Sequence, residues 1–207
     1  MTRPADASLA AELGASYVGA IFADSPRRVT PDEARRVFES APGLAHVGVF
    51  GTNDLAEIAK VAEQVELDVV QLHADPMADD VHALRSGFGG DIWAAVRIEN
   101  GILPAQTAEL IDAAEGILLD ARNPARLGGT GTQLPWNDIA AELARLRTGS
   151  LVIIAGGLRA ENVGEAIRVL APDVVDVASG VEESPGVKNR QLMCDFAHAA
   201  GGWENVA

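Results

Sequence analysis

The sequence predicts a single α/β domain folded as a (β/α)8 TIM barrel, and three observations carry that reading. Short apolar runs bounded by Gly, Asp or Pro alternate with longer amphipathic stretches from one end of the chain to the other, the pattern of βα units rather than of bundles or sandwiches. Strand starts recur every ~20 to 35 residues, the span of one strand and one crossover helix. Glycine-rich turns fall late, after the last strands, where barrels often build a phosphate site. An open doubly wound sheet would carry such a turn after its first strand.

The elements follow in order. Helices are expected over Pro4 to Leu13, Pro31 to Glu39, Leu55 to Val65, Ala78 to Arg85, Gln106 to Ala113, Trp136 to Arg147, Ala160 to Leu170 and Gln191 to Ala199. Pro4 and Pro31 suit first helical positions, where a missing N–H is harmless; Thr30 is a good N-cap for its helix and Arg3 a poor one. Strands are expected over Tyr17 to Phe22, Ala45 to Phe50, Asp68 to Leu72, Ile92 to Arg97, Gly116 to Asp120, Leu151 to Ala155 and Val174 to Val177. Runs such as Leu151 to Ala155 are almost wholly apolar, as befits strands covered by helices. About seven strands to eight helices is one strand fewer than a complete barrel, and the first element is a helix. The expectation is therefore one domain over residues 1–207 whose strand 1 is missing at the N-terminus.

Composition narrows the function. The 207 residues suit one core, and 48% hydrophobic with 22% charged residues excludes disorder. With 16 Lys+Arg against 30 Asp+Glu, the net charge of −14 argues against nucleic acid, which needs a basic face. No apolar run approaches the ~20 residues that cross a bilayer, and no leader-like segment opens the chain, so neither a membrane partner nor export is expected and the location is read as cytoplasmic. One Cys allows no intrachain disulfide, and Cys194, among Leu192, Met193 and Phe196, reads as packing. No His/Cys/Asp set has metal-ligand spacing, so no metal is expected.

In a barrel, chemistry collects where strands end. The loop after the first visible strand holds Arg27 and Arg28, either of which can fork onto a carboxylate or phosphate; a solvated pair is the bland alternative. His73 follows Val69-Val70-Gln71-Leu72, where it can donate to a substrate or orient another group, although a lone His is more often structural or solvated, while Arg97 reads as exposed charge. Asp120 ends the apolar run Gly116-Ile117-Leu118-Leu119, where a partly desolvated carboxyl could serve as an acid, a turn cap being the alternative. The loops Gly128-Gly129-Thr130-Gly131, Ala155-Gly156-Gly157-Leu158 and Ala178-Ser179-Gly180-Val181 can turn backbone N–H groups toward a phosphate, though tight turns use glycine too.

Taken together these stretches resemble the phosphoribosylanthranilate isomerase family of tryptophan biosynthesis. The resemblance lies in Thr2-Arg3-Pro4, Ser25-Pro26-Arg27, Val47-Gly48-Val49-Phe50, Val69-Val70-Gln71-Leu72-His73, Leu118-Leu119-Asp120, the three glycine loops with Asn162-Val163, and Val175-Asp176-Val177 running to Glu182, in the family's order along essentially the whole chain. It implies a cofactor-free Amadori rearrangement of N-(5-phosphoribosyl)anthranilate to 1-(2-carboxyphenylamino)-1-deoxyribulose 5-phosphate by a monomer or homodimer acting on a small molecule. Asp120 would be the general acid that opens the furanose, and Arg27 would hold the anthranilate carboxylate. Gln71 and His73 would line the substrate, and Gly129, Gly156, Gly157, Ser179 and Gly180 would contact the phosphate. The family's general base is a Cys in a Lys-x-Cys-Gly strand just ahead of the segment matching Thr2-Arg3-Pro4, so a chain without that strand is expected to turn over slowly. The alternative is an inactive barrel that only binds a phosphorylated or carboxylated ligand or a partner. The related histidine-pathway isomerase fits less well, because it pairs two Asp and repeats its halves, and the sequence offers only Asp120 at such a position and no repeat.

Overall fold

A computed structural model describes residues 1–99, 101–120, 136–147 and 149–201. In chain order the elements are α1 (Pro4–Glu12), β1 (Tyr17–Ile21), α2 (Pro31–Glu39), β2 (Ala45–Phe50), α3 (Leu55–Val65), β3 (Val69–Leu72), α4 (Ala78–Arg85), β4 (Asp91–Arg97), α5 (Thr107–Ala113), β5 (Gly116–Asp120), α6 (Trp136–Leu146), β6 (Leu151–Ala155), α7 (Ala160–Leu170), β7 (Val174–Val175), a 3-10 turn at Ser179–Val181, β8 (Glu182–Ser184), β9 (Val187–Lys188) and α8 (Arg190–Ala199). Strands β1 to β7 form one seven-stranded sheet in sequence order, every neighbouring pair parallel, with β1 and β7 as its edges.

The local chemistry of the chain explains where elements begin. Thr30 caps α2 in a reciprocal box with Glu33: the Thr30 N–H donates to Glu33 Oε2 at 2.8 Å, and the Glu33 N–H donates to Thr30 Oγ1 at 3.3 Å. Arg3 makes no side-chain cap, so Pro4 alone sets the entry to α1. At the start of alternate strands a carboxylate accepts the N–H of the second residue of the preceding strand. Asp68 accepts from His46 at 2.7 Å, Glu115 from Ile92 at 2.8 Å and Asp173 from Val152 at 2.8 Å. Arg85 and Arg147 pair with the last two of these acids, completing a polar rim beneath the sheet.

Because side chains alternate along a strand, the curled sheet has two apolar faces. Inside lie Val47, Val69, Trp93, Ala95, Leu118, Ile153 and Ala155, with Tyr17 edge-on to Trp93 at 4.9 Å between ring centres. Gly116 is required there: a Cβ at this position would stand 2.6 Å from Trp93 Cδ1 and 2.8 Å from Ile153 Cδ1. Outside, Val70, Leu72, Ile92, Ala94, Ile117, Leu119, Val152 and Ile154 pack beneath the helices. Cys194 is partly buried against this outer layer, and no helix among the described residues is long and apolar enough to cross a membrane.

The strand expected over Val174 to Val177 is shorter, ending at Val175, because only Val174 and Val175 are in register with β6, opposite Ile153 and Ile154. The antiparallel hairpin β8–β9, turning through Gly186 at a φ of +84°, has no counterpart in the sequence reading. Five residues shared between two polar strands show no period to read, and the hairpin is held by side chains from elsewhere in the chain.

Candidate active site

The strand period delivers a polar constellation to the C-terminal ends of the sheet. Val69 faces inward on β3, so Gln71 and then His73, each two residues on, share its face; Leu118 faces inward on β5 and Asp120 follows it. Gln71 and Asp120 are buried, each 4% exposed. His73 joins them: its Nε2 lies 3.5 Å from Asp120 Oδ2, and its Nδ1 lies 3.1 Å from Gln71 Nε2. With Gln71 donating to Nδ1, the neutral ring keeps its hydrogen on Nε2, the atom that faces the carboxyl. The structure therefore places three of the residues singled out by sequence in direct sequence of contact.

Arg97, read as exposed charge, instead anchors the loop beside this group. It pairs with Asp75 at 2.8 Å and reaches the carbonyl of His73 at 3.4 Å. Of the two guanidiniums after β1, Arg28 is exposed and Arg27 is half-buried. Arg27 donates through Nε to both oxygens of Glu182 at 2.9 and 3.0 Å, and through Nη2 to Oε2 at 2.6 Å. Glu182 also accepts from Lys188 Nζ at 3.1 Å and from the Gly186 N–H at 3.3 Å. Desolvation pushes the Glu182 carboxyl up, but the hydrogen bonds from Arg27 and the charge of Lys188 outweigh it and hold the group below the ordinary range. Burial pulls the Lys188 ammonium down, against the opposing pull of Glu182 and Asp176.

Asp176 stands just past β7, two residues beyond Val174, which packs with the inner face, and unlike the buried Asp120 it is exposed. Charged groups of both clusters, Lys188 and Asp120 among them, act on it. Sequence reasoning passed over Asp176, Glu182 and Lys188 as site residues. The signal for Asp176 was present in the chain, a carboxylate interrupting an apolar run as Asp120 does. Nothing local marks Glu182 or Lys188, which acquire their partners only through the fold.

The last two glycine loops meet as a pair. Gly156 and Gly157 follow β6 with φ of +84° and +70°, a region costly for other residues. A Cβ on Gly180 would stand 1.8 Å from the Leu158 carbonyl oxygen, so only glycine lets the loop after β7 lie against the loop after β6. Ser179, beside it, is exposed. Asn162 secures the entry to α7, accepting from the Arg159 N–H at 2.8 Å and donating to the Gly157 carbonyl at 3.1 Å. Gly129 and the rest of its loop lie outside the described residues.

Comparison with known proteins places this geometry. The family profile described as N-(5'phosphoribosyl)anthranilate (PRA) isomerase matches residues 1–199. An N-(5'-phosphoribosyl)anthranilate isomerase of Rubrobacter xylanophilus is 40% identical over 203 residues, covering 97% of this chain and 95% of the relative. The crystal structure of phosphoribosyl anthranilate isomerase from Thermotoga maritima superposes with a TM-score of 0.84 at 34% identity, covering 98% of this chain and 96% of that one. A phosphoribosyl anthranilate isomerase in complex with reduced 1-(o-carboxyphenylamino)-1-deoxyribulose 5-phosphate gives 0.81 at 32% identity, covering 98% and 95%. The seven-stranded parallel sheet thus matches the barrels of these enzymes, and the chain belongs to the N-(5'-phosphoribosyl)anthranilate isomerase family, the aldose–ketose isomerases of tryptophan biosynthesis.

Proposed function

We propose that the chain performs its family's rearrangement with Asp120 as general acid. The observation that carries this assignment is a buried carboxyl at the end of an apolar strand, backed by the His73 ring at 3.5 Å. In the protonated form Asp120 gives its proton to the furanose ring oxygen of N-(5-phosphoribosyl)anthranilate as the C1–O bond breaks. The anthranilate nitrogen supplies the electron pair for the resulting Schiff base. Loss of the C2 proton then gives an enamine that tautomerises to the 1-amino-2-keto sugar. His73, fixed by Gln71, lines the substrate and steadies the carboxyl.

Arg27 receives the anthranilate carboxylate. The paired loops at Gly156, Gly157, Ser179 and Gly180, joined by Gly129, receive the phosphate through backbone N–H groups. The binding of a reduced product analogue by a relative 32% identical supports such a two-ended anionic ligand. No cofactor enters this scheme. The enzyme works on this small molecule alone, as a monomer or homodimer in the cytoplasm, as a single domain over residues 1–207.

The sheet edges β1 and β7 support an eighth strand that closes the barrel between them, and the base belongs to its Lys-x-Cys-Gly segment. Replacing Asp120 by Asn should lower turnover of N-(5-phosphoribosyl)anthranilate by about 10²- to 10⁴-fold while binding of the reduced product analogue persists. Full turnover by this variant would refute the assignment. Placing a Lys-x-Cys-Gly segment ahead of Thr2 should raise turnover over the 207-residue chain by a similar factor, about 10²- to 10⁴-fold. Equal rates would locate the base elsewhere.

A further inference from the structure

We infer that Glu182 is a positioning residue that sets carboxylate selectivity by fixing the plane of the Arg27 guanidinium. The inference rests on the reading of Arg27 as the anthranilate-carboxylate site and adds how that site is built. A guanidinium presents two usable forks, one through Nε and Nη2 and one through Nη1 and Nη2, and both lie in one plane. Glu182 occupies the first with contacts of 2.6, 2.9 and 3.0 Å. Nη1 carries no hydrogen bond among the described residues, so with the second hydrogen of Nη2 it forms the fork left for a ligand carboxylate.

Glu182 is itself immobilised. Its side chain is 4% exposed, and its Oε1 takes the Lys188 ammonium at 3.1 Å and the Gly186 N–H at 3.3 Å. Lys188 is fixed in turn, its Nζ donating to the Ala178 carbonyl at 2.7 Å and its backbone N–H to Asp6 Oδ2 at 3.1 Å. The short hairpin β8–β9 thus carries both Glu182 and Lys188 and ties them to α1 and to the loop after β7. Lys188 offsets the charge of Glu182 at 3.1 Å and is itself acted on by Asp176. The Arg27 side chain, 25% exposed, remains within reach of a ligand.

A lone carboxylate beside the carboxylate-binding arginine would otherwise oppose binding. Here its charge is already met by Lys188, and what it adds is direction: the free fork is held in one plane instead of sweeping through the rotamers of a long side chain.

The test is equilibrium binding of two ligands, reduced 1-(2-carboxyphenylamino)-1-deoxyribulose 5-phosphate and its phenylamino counterpart without the carboxylate. The ratio of their affinities reads carboxylate selectivity and cancels losses common to both. Glu182→Gln should lower that ratio about 10-fold, the size of one charge-assisted contact, and leave the phenylamino ligand nearly unchanged. Arg27→Lys, which keeps the charge but has no planar fork, should lower it to a similar degree. An equal weakening of both ligands in Glu182→Gln would make Glu182 merely structural. A preserved or increased ratio would make it only a counter-charge. Either result overturns the inference, as does an unchanged ratio in Arg27→Lys. Arg27→Ala separates the two levels: an unchanged ratio there refutes the reading of Arg27 itself, whereas a collapsed ratio alongside an unchanged Glu182→Gln refutes only the role of Glu182.

Discussion

At the residue scale, the buried Glu182 carboxylate makes stability depend on pH. Glu182 has its folded pKa depressed, so its contribution to stability is present above the unfolded value of about 4.3 and is lost as pH falls through the folded pKa. Urea titrations should therefore show Glu182→Gln losing less stability than the parent between about pH 5 and 3. Parallel pH curves for parent and variant would contradict that assignment. Gly180→Ala meets the Leu158 carbonyl and cannot be relieved by a rotamer, so a loss of about 1–3 kcal/mol is expected in the same titrations. An unchanged urea midpoint would mean that the two loops are not in the described contact. Asp120 and His73 were legible in sequence because each ends an apolar run. Asp176 lies just past β7, inside the stretch Val174 to Val177 that reads as one continuous strand.

At the scale of elements, all seven strands and eight helices read from the sequence are present, seven with the same ends and the others differing at one end by one or two residues. The apolar runs are legible because burial on both faces leaves no alternative composition for a strand. Phe50 shows what such a run secures: 1% exposed on β2 and stacked on Phe22 at 5.2 Å, it should cost about 3–5 kcal/mol when replaced by Ala, measured by urea unfolding. A loss below about 1 kcal/mol would mean that the outer layer is not packed as described. The hairpin β8–β9 was illegible for the opposite reason. Glu182 and Lys188 look like ordinary surface charges in the chain, and their burial follows from Arg27, Asp6 and the Ala178 carbonyl, which the fold brings from distant positions. The carboxylates beneath the sheet are similar: Asp68, Glu115 and Asp173 precede their strands in sequence, yet each bonds to the strand before.

At the scale of the whole molecule, the parallel order from β1 to β7 places every group of the site at one end of the sheet and the polar rim of carboxylates and arginines at the other. Against a net charge of −14, the proposed binding of an anionic substrate relies on local donors, the Arg27 guanidinium and the backbone N–H groups of the glycine loops. One end of this sheet is proposed to carry an acid at Asp120 that opens a phosphoribosyl ring. The most direct measurement is turnover of N-(5-phosphoribosyl)anthranilate by the chain bearing the Lys-x-Cys-Gly strand, with and without Asp120→Asn, alongside binding of the reduced product analogue. The expected result is a loss of about 10²- to 10⁴-fold in turnover with binding retained; undiminished turnover by the variant would contradict the account.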